Sequence, residues 1–109
     1  MPYNVELEKR IDRLIETPET YDKKKMFGGI GYLKNGNMFF GIHKQSLIIR
    51  TTPAIAGELL KKESMRPFDI TGRPMQGWVM VANEGIKTDK ELLTLLNLAI
   101  EYGKTLPPK

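Results

Sequence analysis

The chain has 109 residues, with 17 Lys+Arg against 13 Asp+Glu, a formal charge of +4 and a pI near 9.4. This length holds one domain, 1–109, and the lack of cysteine removes disulfide frameworks and thiolate chemistry. With 40% hydrophobic residues, no long apolar run and a polar, charged start from Met1 to Arg10, neither a membrane span nor a secretory signal is expected. The cytoplasm is its expected compartment.

Residues 3–16 read as a helix, because Leu7, Ile11, Leu14 and Ile15 recur at helical spacing opposite Glu6, Lys9, Arg10 and Arg13. Thr17-Pro18 ends it, since proline disfavours a helical residue before it, and a polar loop is expected up to Lys25. A glycine-rich run, "MFGGIGYLKNGNMFFGI", follows from Met26. Its Asn35-Gly36 suits a type I′ turn between two extended segments, since both residues tolerate positive φ. Counting outward pairs Lys34 with Asn37, Leu33 with Met38 and Tyr32 with Phe39. It continues with Gly31 opposite Phe40, Ile30 opposite Gly41 and Gly29 opposite Ile42, so each glycine faces a large apolar side chain that covers it.

Leu47 to Thr51 reads as a third strand after a turn near His43 to Ser46. Thr52-Pro53 then caps a short helix with Ile55, Leu59 and Leu60 on its apolar side. The prolines and glycines of "RPFDITGRPMQG" predict an edge strand with an irregular turn from Arg66 to Met75, ahead of a better-buried strand at Trp78 to Val81. Thr88-Asp89-Lys90-Glu91 is a capping box opening a last helix that buries Leu92, Leu95, Leu96 and Ala99, with Tyr102 completing that face. Gly103 fits the helix C′ position, and Pro107-Pro108 prevent continuation. The result is a two-layer α+β domain, an antiparallel sheet of about five strands with helices, in the order α-β-β-β-α-β-β-α.

Nothing in the chain assembles an active site. Gly31 and Gly36 have phosphate-loop spacing, but Asn37 and Met38 follow where lysine and a hydroxyl residue are needed, and the chain enters a strand rather than a helix. Lys34 stands where a dinucleotide fingerprint needs its third glycine. His43 is the single histidine, which excludes a multi-histidine metal site, and Asp12 and Asp69 show no ligand spacing. No catalytic residue, cofactor or metal is expected. The remaining candidates are cationic: Lys23, Lys24 and Lys25 before the glycine run, and the forks of Arg50, Arg66 and Arg73, all suited to an anionic partner. Arg66, Asp69 and Arg73 also suit an ion-paired cluster that fixes a turn.

Taken together and in this order, "MFGGIGYLKNGNMFFGI", "RPFDITGRPMQGWV" and the terminal "LPPK" resemble the N-terminal domain family of the competence regulator TfoX (also called Sxy). The resemblance runs from Asp22 to Lys109 and is most specific at Met26 to Gly29 and Gly72 to Met75. It implies an antiparallel sheet with helices, similar to type III secretion chaperones, in a small stand-alone bacterial protein. Full-length TfoX proteins regulate natural-competence genes and carry a second, C-terminal domain, which would begin where this chain ends. The family brings no catalytic residues to transfer. The expectation is a non-enzymatic, regulatory module that docks to a protein, with a second copy of itself as one candidate partner. Nucleic-acid binding through the basic residues is the alternative, and an unrecognised enzyme using His43 or Asp69 is the third reading.

Overall fold

Six antiparallel strands form one sheet in the computed structural model, which describes residues 4–15, 21–26, 29–34, 36–67 and 77–107. The elements run α1 (Val5–Leu14), β1 (Asp22–Met26), β2 (Gly29–Lys34), β3 (Asn37–His43), β4 (Ser46–Arg50), α2 (Pro53–Leu59), β5 (Met65–Pro67), β6 (Trp78–Val81) and α3 (Asp89–Gly103). Spatially the order is β1-β2-β3-β4-β6-β5. The α+β class and the sheet's antiparallel character are as expected, with one strand more than the sequence suggested.

That extra strand is β1, where a polar loop was expected. Its five residues, DKKKM, have no β-branched side chain, and all of Asp22 to Lys25 are exposed. The backbone nevertheless pairs along its whole length with β2, from Asp22↔Leu33 to Met26↔Gly29. An edge strand satisfies its ladder on one side only, and charged residues suit the side that faces water.

The β2–β3 hairpin turns through Gly36, whose φ of 82° is the positive value the two-residue loop needs; Asn35 and the Phe27-Gly28 step lie outside the described residues. Its register begins as expected, Lys34↔Asn37 and Leu33↔Met38, then slips by one: Tyr32 faces Phe40, Gly31 faces Gly41 and Ile30 faces Ile42. The glycines therefore do not pair across the ladder with large apolar residues; Gly31 opposes Gly41, and Gly29 opposes His43. The cause is the consecutive pair Phe39-Phe40. Both rings are buried, at 3% and 0% exposure. In regular alternation one of them would point away from the helices. Fully burying such a ring is worth about 1.5–3 kcal/mol, against about 0.5–1.5 kcal/mol for a ladder hydrogen bond, so the bulge wins.

Directly paired residues share a face, so the register reads as rows across the sheet. Two rows face the helices: Lys23–Tyr32–Phe40–Ile49–Val79–Pro67 and Lys25–Ile30–Ile42–Leu47–Val81–Met65. All three helices pack on this side. α1 contributes Leu7 and Ile11, α2 contributes Ala56 and Leu59, and α3 contributes Leu92, Leu95, Leu96 and Ala99 to a single cluster. α1 starts at Asn4, whose side chain accepts from Leu7 N at 3.1 Å. Arg10 ties it to α3, donating to Ile86 O at 2.8 Å and meeting Asp89 at 3.2 Å.

The helix predictions hold with two corrections. Thr52 caps α2, accepting from Ile55 N at 3.1 Å, but the buried residues are Ala56 and Leu59, and Ile55 is 37% exposed at the edge of that face. The capping box of α3 is formed in both directions, Glu91 N to Thr88 Oγ1 at 3.1 Å and Thr88 N to Glu91 Oε1 at 3.3 Å. Gly103, however, is the last residue of α3 rather than its left-handed cap. A Cβ there would sit 2.5 Å from the Phe39 ring, so this glycine makes room for the bulged phenylalanine. Beyond it, the buried Asn37 amide donates to Pro107 O at 2.8 Å and holds the tail against β3. No helix among the described residues is long and apolar enough to cross a membrane.

Candidate interaction surface

Alternation along β1 sends the three consecutive lysines in different directions. Lys23 points to the helix side, where its Nζ lies 5.1 Å from the Tyr32 ring centre and meets Glu8 at 3.0 Å and Asp12 at 2.6 Å. The second Asp12 oxygen accepts from Tyr32 OH at 2.7 Å. Partial burial works against the Lys23 charge, but hydrogen bonds and attraction from Asp12 and Glu8 outweigh it and hold the ammonium above the ordinary lysine value. Lys23 is thus a clasp between β1 and α1 and is already neutralised. Lys24, opposite Gly31, lies on the outward face; Lys25, opposite Ile30, lies on the helix side; both are exposed.

The outward face contains the row Lys24–Gly31–Gly41–Ile48–Met80–Arg66, a cation at each end and small or apolar residues between. Five inter-strand steps put its ends about 24 Å apart. Met38 lies over Gly41, its Cε 2.7 Å from where a Cβ would stand. Ile48 is buried at 1% yet stands outside the helix-side cluster, while Leu33, Met38, Met80 and Trp78 are half-buried. His43, at the end of β3, is opposite Gly29 and Ser46 and half-buried. Among the described residues, no three His, Cys, Asp or Glu side chains converge as metal ligands.

Arg50 ends β4 opposite Trp78, at the rim where the last turn of α3 reaches the sheet. Its guanidinium carbon is 5.5 Å from the Trp78 ring centre and 5.6 Å from that of Tyr102. Tyr102 thus stacks on an arginine instead of completing the buried face of α3. Such contacts orient the planar cation without using its N–H donors. Arg66 sits on the short edge strand β5, exposed, beside a shallow hollow of about 770 Å³ also lined by Lys61, Lys62 and Glu84. Arg73 and Asp69 lie outside the described residues. Among the described candidates, Lys23 is engaged by Glu8 and Asp12, Lys24 and Arg66 stand at opposite sheet edges with Arg66 beside Lys61 and Lys62, and Arg50 lies near two rings.

A second hollow, about 450 Å³, lies between the end of α1 and α3, with Tyr21, Lys34, Leu93 and Asn97 in its wall. Lys34 Nζ is 5.8 Å from the Tyr21 ring centre, and burial pushes the Tyr21 hydroxyl above its ordinary pKa. No local pattern in the sequence marks the Arg50–Trp78–Tyr102 cluster. Arg50 and Trp78 meet only because β6, not β5, pairs with β4, and no local spacing encodes that choice.

This is a small α+β domain whose sheet is covered by helices on one face and carries half-buried apolar side chains on the other. The chain belongs to the TfoX N-terminal domain family, whose sequence profile matches residues 13–102. No curated protein and no solved structure matches it significantly.

Proposed function

We propose that this protein is a non-enzymatic, regulatory interaction module that docks to another protein through the outward face of its sheet. The observation that carries the reading is the one-sided packing of the helices. It leaves Leu33, Met38, Trp78 and Met80 half-buried around Ile48, outside the helix-side core. Methionine and tryptophan are side chains that favour contact surfaces, methionine because it repacks easily and tryptophan because it offers a large rigid area. The TfoX family supports a regulatory setting, since its full-length members act in gene regulation.

A second copy of the chain is a weaker partner at β1 than a different protein is. Antiparallel self-pairing of this edge about Lys24 would place Lys24 against its own copy and Lys23 against Lys25, like charge on like charge. Nucleic acid is less supported than protein, because phosphate binding draws on several cations acting together and those on this surface are dispersed. The test is retention of a partner from a bacterial lysate by the full chain, with light scattering to give the chain's own assembly state. A partner should be retained and then lost on the double substitution Met38→Ser with Met80→Ser. A strictly monomeric chain that retains nothing, or a double variant that retains the partner unchanged, contradicts the reading.

A further inference from the structure

We infer that Arg50, held between Trp78 and Tyr102, is an anion-receiving fork for a carboxylate of an acidic segment in the partner protein. The inference rests on the docking reading above and names the chemistry of one point on it.

Arg50 is half-buried, and its guanidinium lies 5.5 Å and 5.6 Å from the two ring centres. Among the described residues no carboxylate or carbonyl accepts from it. A guanidinium carries N–H donors in a fixed planar fork that matches a carboxylate in two parallel hydrogen bonds. Here two rings at 5.5 Å and 5.6 Å restrict its side chain in advance, so less side-chain freedom is lost when an anion arrives. They also remove water from its flanks, which strengthens any charge-assisted hydrogen bond made there. Arginine, tryptophan and tyrosine are the residue types that dominate binding energy at protein interfaces, and at this rim they form one stack.

The charge pattern favours a carboxylate over a phosphate chain. A nucleic-acid strand repeats its charge at every nucleotide and is bound by cations that track it. Among the described residues no second cation joins Arg50 and its two rings, Lys23 is neutralised by Glu8 and Asp12, and Lys24 lies at the far edge of the sheet. One fork with aromatic walls fits one acidic side chain flanked by apolar ones.

Trp78 is the only tryptophan in the chain, so intrinsic fluorescence reports directly on this site. The experiment titrates the full chain with a blocked Asp-Glu-Leu-Glu-Asp peptide, with its Asn-Gln-Leu-Gln-Asn counterpart, and with a short oligothymidylate. The acidic peptide should shift Trp78 emission saturably and its amide counterpart should not. Arg50→Lys, which keeps the charge and loses the fork, should weaken binding about tenfold with an unchanged melting temperature. Tyr102→Leu keeps the arginine and removes one wall; it should weaken binding too, and it decides the matter if Arg50→Lys does not fold. Equal responses to the two peptides, undiminished binding by the folded variants, or tighter binding of oligothymidylate would each overturn the inference. A partner retained equally by wild type and Arg50→Lys would leave the docking module standing and remove Arg50 from it. Acidic-peptide binding as expected, with no partner retained, would do the reverse.

Discussion

Two neighbouring rows of the same sheet make the clearest contrast in the molecule. Lys23–Tyr32–Phe40–Ile49–Val79–Pro67 and Lys24–Gly31–Gly41–Ile48–Met80–Arg66 run across the same six strands, one residue apart. Their backbone pairing is shared, but their side chains do different work. The first row is large at its centre, with Tyr32 stacked on Phe40 at 4.8 Å between centroids, and helices close over it. Even its terminal lysine is drawn inward by Glu8 and Asp12. The second row is reduced to glycine at its centre and ends in exposed cations. One face holds the domain together under the helices, and the other surrounds a buried Ile48 with half-buried Met38 and Met80. A single bulge at Phe39 sets which residue belongs to which row.

The largest break in that contrast comes from the core row. Phe40→Ala should cost about 3–5 kcal/mol in urea unfolding, whereas Met80→Ala on the outward row should cost about 1 kcal/mol or less. Glycine substitutions sharpen it next. A Cβ at Gly41 would lie 2.5 Å from the backbone oxygen of Ile30, so Gly41→Ala should destabilise by about 1–3 kcal/mol. Gly57, inside α2 with nothing within 4 Å of its Cβ position, should behave oppositely, Gly57→Ala adding about 0.5–1 kcal/mol.

The smallest effects separate adjacent lysines. Lys23→Met should cost up to about 1 kcal/mol and Lys24→Met about 0.5 kcal/mol or less, because only the first breaks a clasp. The clasp also predicts a direction with pH. The Lys23 pKa is raised in the fold, so its stabilisation is complete below the ordinary lysine value of 10.5 and is lost as pH rises through the higher folded value. Tyr21, kept neutral by burial, loses its contribution on the same alkaline side, from its ordinary 10.0 upward. Melting temperature should fall on this alkaline limb, and Lys23→Met should make the fall shallower.

Much of the architecture was legible in the sequence because its signals were local. The Thr88–Glu91 box, the Thr52-Pro53 start and the Asn35-Gly36 turn each involve residues a few positions apart, and the described parts of each formed as read. The misses involve partners distant in sequence. β1 is a strand because β2 offers it a ladder, not because DKKKM favours extension. The hairpin slipped because α3 takes Phe39 against Gly103, a contact that counting outward from a turn does not contain. The fork of Arg50 is visible in the sequence, but its ring contacts need β6 on one side and α3 on the other. Lys23 looks free for an anion in the sequence, because nothing local shows that α1 brings Glu8 and Asp12 to it.

The most direct test of the two-faced account is methyl and indole NMR of the full chain with its retained partner. The account predicts that the Met38 and Met80 methyls and the Trp78 indole shift, while the Ala56 and Ala99 methyls under the helices stay in place. Shifts confined to the helix side, with the outward methionines unmoved, would contradict it.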